Sequence, residues 1–232
     1  MLRHLMLKMA ANPFLVRGFA GLGRATGLTG RFIAGESFRE ALSTVREFNR
    51  MGLSVTLDLL GEGITDGMEA EKAGRAYRRL LEKIHQSRVR SSISIKLTQL
   101  GLEIETEMCR RNLHEILQRA QSLGNFVRID MEGSRFTQAT IDLFLEFYEE
   151  FGRHVGIVLQ SYLRRSEQDA RELSAKGCNI RLCKGAYMEP PEIAFPSKAD
   201  VDENFKRILE ILLTSPGHAA IATHDEAMIQ HA

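Results

Sequence analysis

The sequence predicts an α/β protein folded as a parallel barrel, and three observations support it. Strand-like and helix-like segments alternate in units of about 25 to 40 residues, the pattern of parallel strands joined by right-handed crossovers. The first three strands carry an apolar face and a polar face of constant parity, as strands between outer helices and a lumen require. The strands also end in polar or charged residues, at the end of a barrel where active sites are built.

Taken in order, residues 1–50 form a helical lead-in. Their first 35 positions hold Arg3, Lys8, Arg17, Arg24 and Arg31 and no acid, which suits either a transit peptide or a basic helical approach to the domain. The strand candidates are Ser54–Leu60, Ser92–Thr98, Phe126–Glu132, Val155–Ser161, Asn179–Ala186 and Ala219–Asp225. Helices are predicted over Ala70–Ser87, Thr106–Leu123, Thr137–Phe151, Glu167–Lys176 and Val201–Leu213. Met108, Leu113, Ile116, Leu117 and Ala120 keep a helical period in the second of these. Gly101, Gly124, Gly152 and Gly177 punctuate helix ends or strand approaches. No linker or composition shift divides the chain, so residues 1–232 are read as one domain, with barrel units over 51–232. A doubly wound dinucleotide fold would need G-x-G-x-x-G after its first strand. The run from Gly21 through Gly23 to Gly27 has the wrong last interval.

Composition narrows the function. With 44% hydrophobic and 26% charged residues and a net charge of +1, the chain does not suit a general nucleic-acid partner. No apolar stretch reaches the roughly 18 residues of a membrane span. Cys109, Cys178 and Cys183 are odd in number and lack metal-ligand spacing, which points to a reduced, cytoplasmic compartment.

The lumen-facing parity gathers Lys96, Arg128, Asp130, Glu132 and Arg181. Burying these charges is costly unless they pair or meet a ligand, so the lumen is read as a site. Asp58, Lys96, Asp130, Gln160, Arg181 with Lys184, and His224 with Asp225 mark the strand ends. Lys96 and Asp130, on successive strands, are placed for an ion pair. The pair either presents the ammonium to a substrate carboxylate or only neutralises itself, and spacing leaves both open. Arg181 suits negative charge developing on a cofactor. Lys184 beside Gly185 and Ala186 suits phosphate or ring-edge contacts, or is a solvated loop cation. A Schiff-base role for Lys96 or Lys184 needs a desolvated amine, which Asp130 disfavours at Lys96. A metal site at His224, Asp225 and Asp58 lacks a second histidine. Arg110, Arg111, Arg164 and Arg165 read as solvated faces, and Met131 as packing.

Seven motifs then stand in order: T-L-D-L-L-G-E (56–62), S-I-K-L-T-Q-L-G-L (94–102), V-R-I-D-M-E (127–132), G-I-V-L-Q-S-Y-L-R-R (156–165), R-L-C-K-G-A-Y (181–187), K-A-D-V-D-E-N (198–204) and A-T-H-D-E (222–226). Together, from R-F-I-A-G-E (31–36) onward, they resemble proline dehydrogenase. The resemblance implies a distorted (β/α)8 TIM barrel that holds FAD. It implies oxidation of L-proline to Δ1-pyrroline-5-carboxylate, with electrons passed to a membrane quinone by a cytoplasmic protein, peripheral at most to the membrane's inner face. By motif, Asp130 and Arg181 would be catalytic, and Lys96 would contact the proline carboxylate. Met131, Gln160, Lys184, Gly185, Ala186, Thr223 and His224 would touch the flavin, and no metal is implied.

The sequence departs from the family after its sixth strand. Six strand–helix units are counted, where a barrel of about 250 residues has eight. The family's paired arginine and the aromatic residue over the proline ring have no counterpart beyond that strand. Little proline:dye activity is therefore expected of residues 1–232 by themselves. A non-catalytic remnant, a subunit completed by another polypeptide, and a methylenetetrahydrofolate reductase-like barrel are the alternatives. The R-L-C-K-G-A-Y and A-T-H-D-E motifs argue against the last.

Overall fold

The computed structural model describes residue 35 and residues 37–61 and 64–232. The basic segment, the weak glycine run and most of R-F-I-A-G-E lie outside the described residues. Two compact units divide the chain, Met1–Val55 with Ser87–Arg90 and Thr56–Gln86 with Ser91–Ala232.

Within the first unit, helix α1 spans Phe38–Arg50, and its Ser37 cap accepts a hydrogen bond from the Glu40 amide at 3.3 Å. Near its end, Asn49 clamps the Ser87–Arg90 segment. Its Nδ2 donates to the Arg90 carbonyl at 3.1 Å, and its Oδ1 accepts from the Arg90 amide at 2.7 Å.

The remaining helices are α2 (Gly67–Ser87), α3 (Thr106–Ser122), α4 (Thr137–Phe151), α5 (Ser166–Ala175), α6 (Lys198–Leu213) and α7 (Glu226–His231), and apart from the last residue of α2 they belong to the second unit. The sheet consists of β1 (Val55–Asp58), β2 (Ser91–Ile95), β3 (Val127–Ile129), β4 (Val155–Gln160), β5 (Ile180–Cys183) and β6 (Ala219–Ile221), ordered in space as in sequence. The pairings from β2 to β6 are parallel. Among the described residues β1 and β6 are the two edges, so the fold is an α/β half-barrel.

Two predicted helices start earlier than hydrophobic period alone suggests, and local capping explains why. Asp66 accepts from the Met68 amide at 2.8 Å, and Ser197 accepts from the Asp200 amide at 3.1 Å. The strands are shorter than predicted, for a related reason. After Ile95 the chain leaves the ladder and turns through a short 3-10 segment, Thr98–Leu100. Glu132 accepts the Thr98 amide at 3.0 Å and also holds its hydroxyl, fastening the β3 end to that turn.

The strand parity places branched residues outward. Ile93, Ile95, Val127, Ile129, Val155, Ile157, Ile180 and Leu182 are fully buried together with Leu113, Ile116, Phe144, Phe205 and Ile208 of the helices. Ser94, Arg128 and Gly156 form one row across β2, β3 and β4. Arg128 fills that row. Its Nη1 donates to the carbonyls of Ile157 at 3.0 Å and Asn179 at 2.7 Å, and its guanidinium lies 4.8 Å over the Phe126 ring. A Cβ at position 156 would lie 2.7 Å from both the Asn179 carbonyl oxygen and the Phe126 ring, so only glycine fits there.

Burial of this order sets two expectations. Phe144→Ala should lower unfolding free energy by about 3–5 kcal/mol in urea titrations, while Leu213→Ala, at an exposed position, should shift it by under about 0.5 kcal/mol. All three cysteines are free thiols, and burial pushes Cys109 up to about 12 and Cys178 and Cys183 up to about 11. None should be alkylated by iodoacetamide in the folded protein at neutral pH, whereas all three should react after unfolding.

Candidate active site

A four-charge cluster occupies the C-terminal end of the sheet. Lys96 follows β2, and its ammonium lies 2.6 Å from Asp58 Oδ2 at the end of β1 and 3.8 Å from Asp130 Oδ2. Asp130, just past β3, accepts from Arg181 Nη2 at 2.5 Å and from Ser94 Oγ at 2.6 Å. Arg181 Nη2 also lies 2.7 Å from Ser94 Oγ. Arg181 stands on β5 and Ser94 on β2, three strand intervals apart. On a flat sheet those intervals span about 14 Å, more than an arginine covers, so the contact exists because the sheet curls inward.

The expected pairing of Lys96 with Asp130 is therefore divided. Asp58 is the nearer partner of Lys96, because Arg181 and Ser94 converge on Asp130. Asp58 is fixed from behind by Tyr77 of α2, whose hydroxyl lies 2.9 Å from Asp58 Oδ1 and 2.7 Å from Gln99 Oε1. Burial, and then the Asp58 charge, push the Tyr77 phenol far above its ordinary range, so it stays protonated and can donate.

The remaining candidate residues fall into two further groups. Gln160 is 3% exposed; its Nε2 donates to the Met131 carbonyl at 2.9 Å, while its Oε1 is buried without a partner. Met131 is itself buried, and its backbone carbonyl orients the Gln160 amide. Lys184, directly after β5, is held by Asp202 and Asp225, and Thr223 Oγ1 accepts from the Asp225 amide at 3.0 Å. Gly185 has φ +98°, and a side chain there would strike the Tyr162 ring. Ala186 and His224 are exposed.

Two of the five lumen charges serve the fold. Arg128 is engaged by backbone carbonyls, and burial, then the Arg181 charge, bring its pKa down to about 9. Glu132 holds the Thr98 turn. Arg164 is exposed, as expected of a solvated face, and from there it also donates to the Pro191 carbonyl at 2.9 Å and lies 4.6 Å over Phe195, pinning the loop after β5. Among the described residues no group of three or more His, Cys, Asp or Glu could hold a metal ion. Sequence reasoning did not pick out Ser94 or Tyr77. Ser94 was visible as the lumen-parity neighbour of Lys96, but Tyr77 sits on a helix whose period marks it only as core.

Charge pairing plus an orphaned buried acceptor fits a polar ligand lying along the strand ends, and comparison with known proteins assigns the lineage. The family model described as proline dehydrogenase matches residues 41–232. Proline dehydrogenase 2 of Bacillus subtilis is 40% identical over 200 residues, covering 86% of this chain and 66% of the relative. Proline dehydrogenase of Deinococcus radiodurans is 38% identical over 206 residues, covering 87% and 66%. The chain thus spans about two thirds of the length of these relatives. Proline utilization A of Corynebacterium freiburgense superposes with a TM-score of 0.77 at 25% identity, covering 90% of this chain and 25% of that one. Proline utilization A of Bdellovibrio bacteriovorus, inactivated by N-propargylglycine, gives 0.84 over 99% of this chain and 29% of that one; at 24% identity it speaks to fold alone. With most of its length matched by the family model and by relatives near 40% identity, the chain belongs to the proline dehydrogenase family.

Proposed function

We propose that this chain binds FAD along its strand ends and serves the oxidation of L-proline to Δ1-pyrroline-5-carboxylate, with electrons passing on to a quinone. The observation that carries this reading is the balanced Asp58, Lys96, Asp130 and Arg181 cluster beside the unpartnered Gln160 Oε1. A buried amide acceptor without a donor costs about 1–3 kcal/mol unless a ligand supplies one. The imide N–H of a flavin ring is such a donor, so the residues present fit the cofactor.

When bound, a flavin supplies the two-electron acceptor for the hydride from proline. The chain's own residues bind and orient. Lys96, steadied by Asp58, holds the substrate carboxylate. Asp130 and Ser94 fix the Arg181 guanidinium, whose permanent charge stabilises negative charge on the reduced ring. Gln160, aligned by the Met131 carbonyl, presents its oxygen to the ring. Lys184, Gly185 and Ala186 line the approach after β5, and Thr223 with His224 line the one after β6. A quinone would be met at a membrane surface by a peripheral cytoplasmic protein; no described helix is long and apolar enough to cross a membrane.

The test joins residues 1–232 to the C-terminal third of the Bacillus subtilis relative. The fusion should bind FAD, and L-proline should bleach the oxidised-flavin band without air. Arg181→Ala or Asp130→Ala should lower turnover by at least about tenfold while leaving flavin bound. Bound flavin that L-proline leaves oxidised would remove proline oxidation from the reading.

A further inference from the structure

Beside the Asp130–Arg181 cluster lies a second ring of four charges. The Lys184 ammonium donates to Asp202 and, at 2.7 Å, to Asp225. Lys198, the first residue of α6, donates to the same two carboxylates, with Asp225 again at 2.7 Å. Asp202 stands one helical turn beyond Lys198, and Asp225 caps α7 by accepting the Ala227 amide at 3.1 Å. The ring therefore ties the end of β5, the start of α6 and the loop after β6 together. Its two positive and two negative charges cancel.

The four members are not equivalent. Lys198 is 71% exposed, whereas Lys184, Asp202 and Asp225 are 23%, 15% and 22% exposed. Hydrogen bonds from Lys184 and Lys198 hold the Asp225 carboxyl well below the usual range. Burial pushes Asp202 up, but hydrogen bonds from the same two lysines outweigh it and keep its carboxyl below the usual range. Both are therefore anionic at neutral pH. An ammonium has three N–H donors. Asp202 and Asp225 engage two of those on Lys184, which leaves one.

We propose that Asp202 and Asp225 are positioning residues that fix the Lys184 ammonium so that its remaining N–H meets an acceptor on the bound flavin nucleotide, an inference that rests on the flavin reading above. Lys198 keeps both carboxylates compensated from the solvent side, so the ring need not break when the ligand arrives. Asp225 also carries Thr223 into the same assembly, because its amide donates to the Thr223 hydroxyl. The loops after β5 and β6 thus meet the ligand as one unit.

Neutralising the two carboxylates separates positioning from simple attraction, because the two accounts predict opposite signs. Asp202→Asn and Asp225→Asn each remove a negative charge near a phosphate-bearing ligand. If the ring acted only through net charge, both variants would bind FAD more tightly. If it positions Lys184, both should raise the FAD dissociation constant by about tenfold, the loss of one hydrogen bond to a charged group. Asparagine at 225 keeps a side-chain oxygen for the α7 cap, and the urea midpoint verifies folding. Flavin fluorescence titrations with FAD and riboflavin locate the acceptor. A loss confined to FAD places it on the pyrophosphate–adenosine arm, and an equal loss for both places it on the riboflavin part. In a Lys184→Met background, Asp225→Asn should add no further loss, since it acts through Lys184. Tighter or unchanged FAD binding by both asparagine variants, or full additivity with Lys184→Met, overturns the positioning roles alone. A folded wild-type chain that binds no flavin overturns the site reading with them.

Discussion

The contact of Arg181 with Asp130 and Ser94 governs the interior of this protein. A side chain from the fifth strand reaches the second and third only where the sheet curls, so the contact is both a result of curvature and a tie that maintains it. It also settles the electrostatics. Arg181 and Asp130 compensate each other at the strand ends, and Lys96 turns to Asp58 for its shorter ion pair. Breaking one member of this half-buried pair would leave a charge without its partner, a larger penalty than the pair's own net contribution. The four side chains therefore stand or fall together.

Much of the fold was legible in the sequence because two periods dominate it. The 3.6-residue stripe over 106–123 and the alternation over 92–98 and 126–132 mark which side of each element meets hydrocarbon. What period does not encode is where the ladder stops. Glu132 reaches back to Thr98 and Ser197 reaches forward to Asp200; these side-chain bonds to backbone set the ends of β2 and α6. They depend on one residue each, not on a repeating pattern.

The candidate site shows the same division. The strand-end residues Lys96, Asp130, Gln160, Arg181 and Lys184 stand out from an alternating pattern. The partners that aim them do not. Tyr77 arrives from a helix, Ser94 is a small residue within a strand, and Asp202 lies on the exposed-to-buried boundary of α6. Their roles arise from proximity created by folding, across separations of 19, 36 and 18 residues. The family motifs add one expectation that parity does not, a flavin contact at Met131, which its strand position alone marks as packing. The geometry adds that Met131 and Gln160 are one unit, joined through a carbonyl and an amide.

The row beneath the site has a consequence for sequence change. Arg128 can lie across the lumen and satisfy the Ile157 and Asn179 carbonyls only because position 156 has no side chain. Conversely, a glycine in the middle of a buried strand weakens it unless something else fills the space, and the guanidinium does so. Arg128 thus depends on position 156 more than position 156 depends on Arg128. Shortening residue 128 would remove one of the three close neighbours of position 156 but leave the Asn179 carbonyl and the Phe126 ring in place, so glycine is held there even if Arg128 changes, while Arg128 is held by the two carbonyls it satisfies.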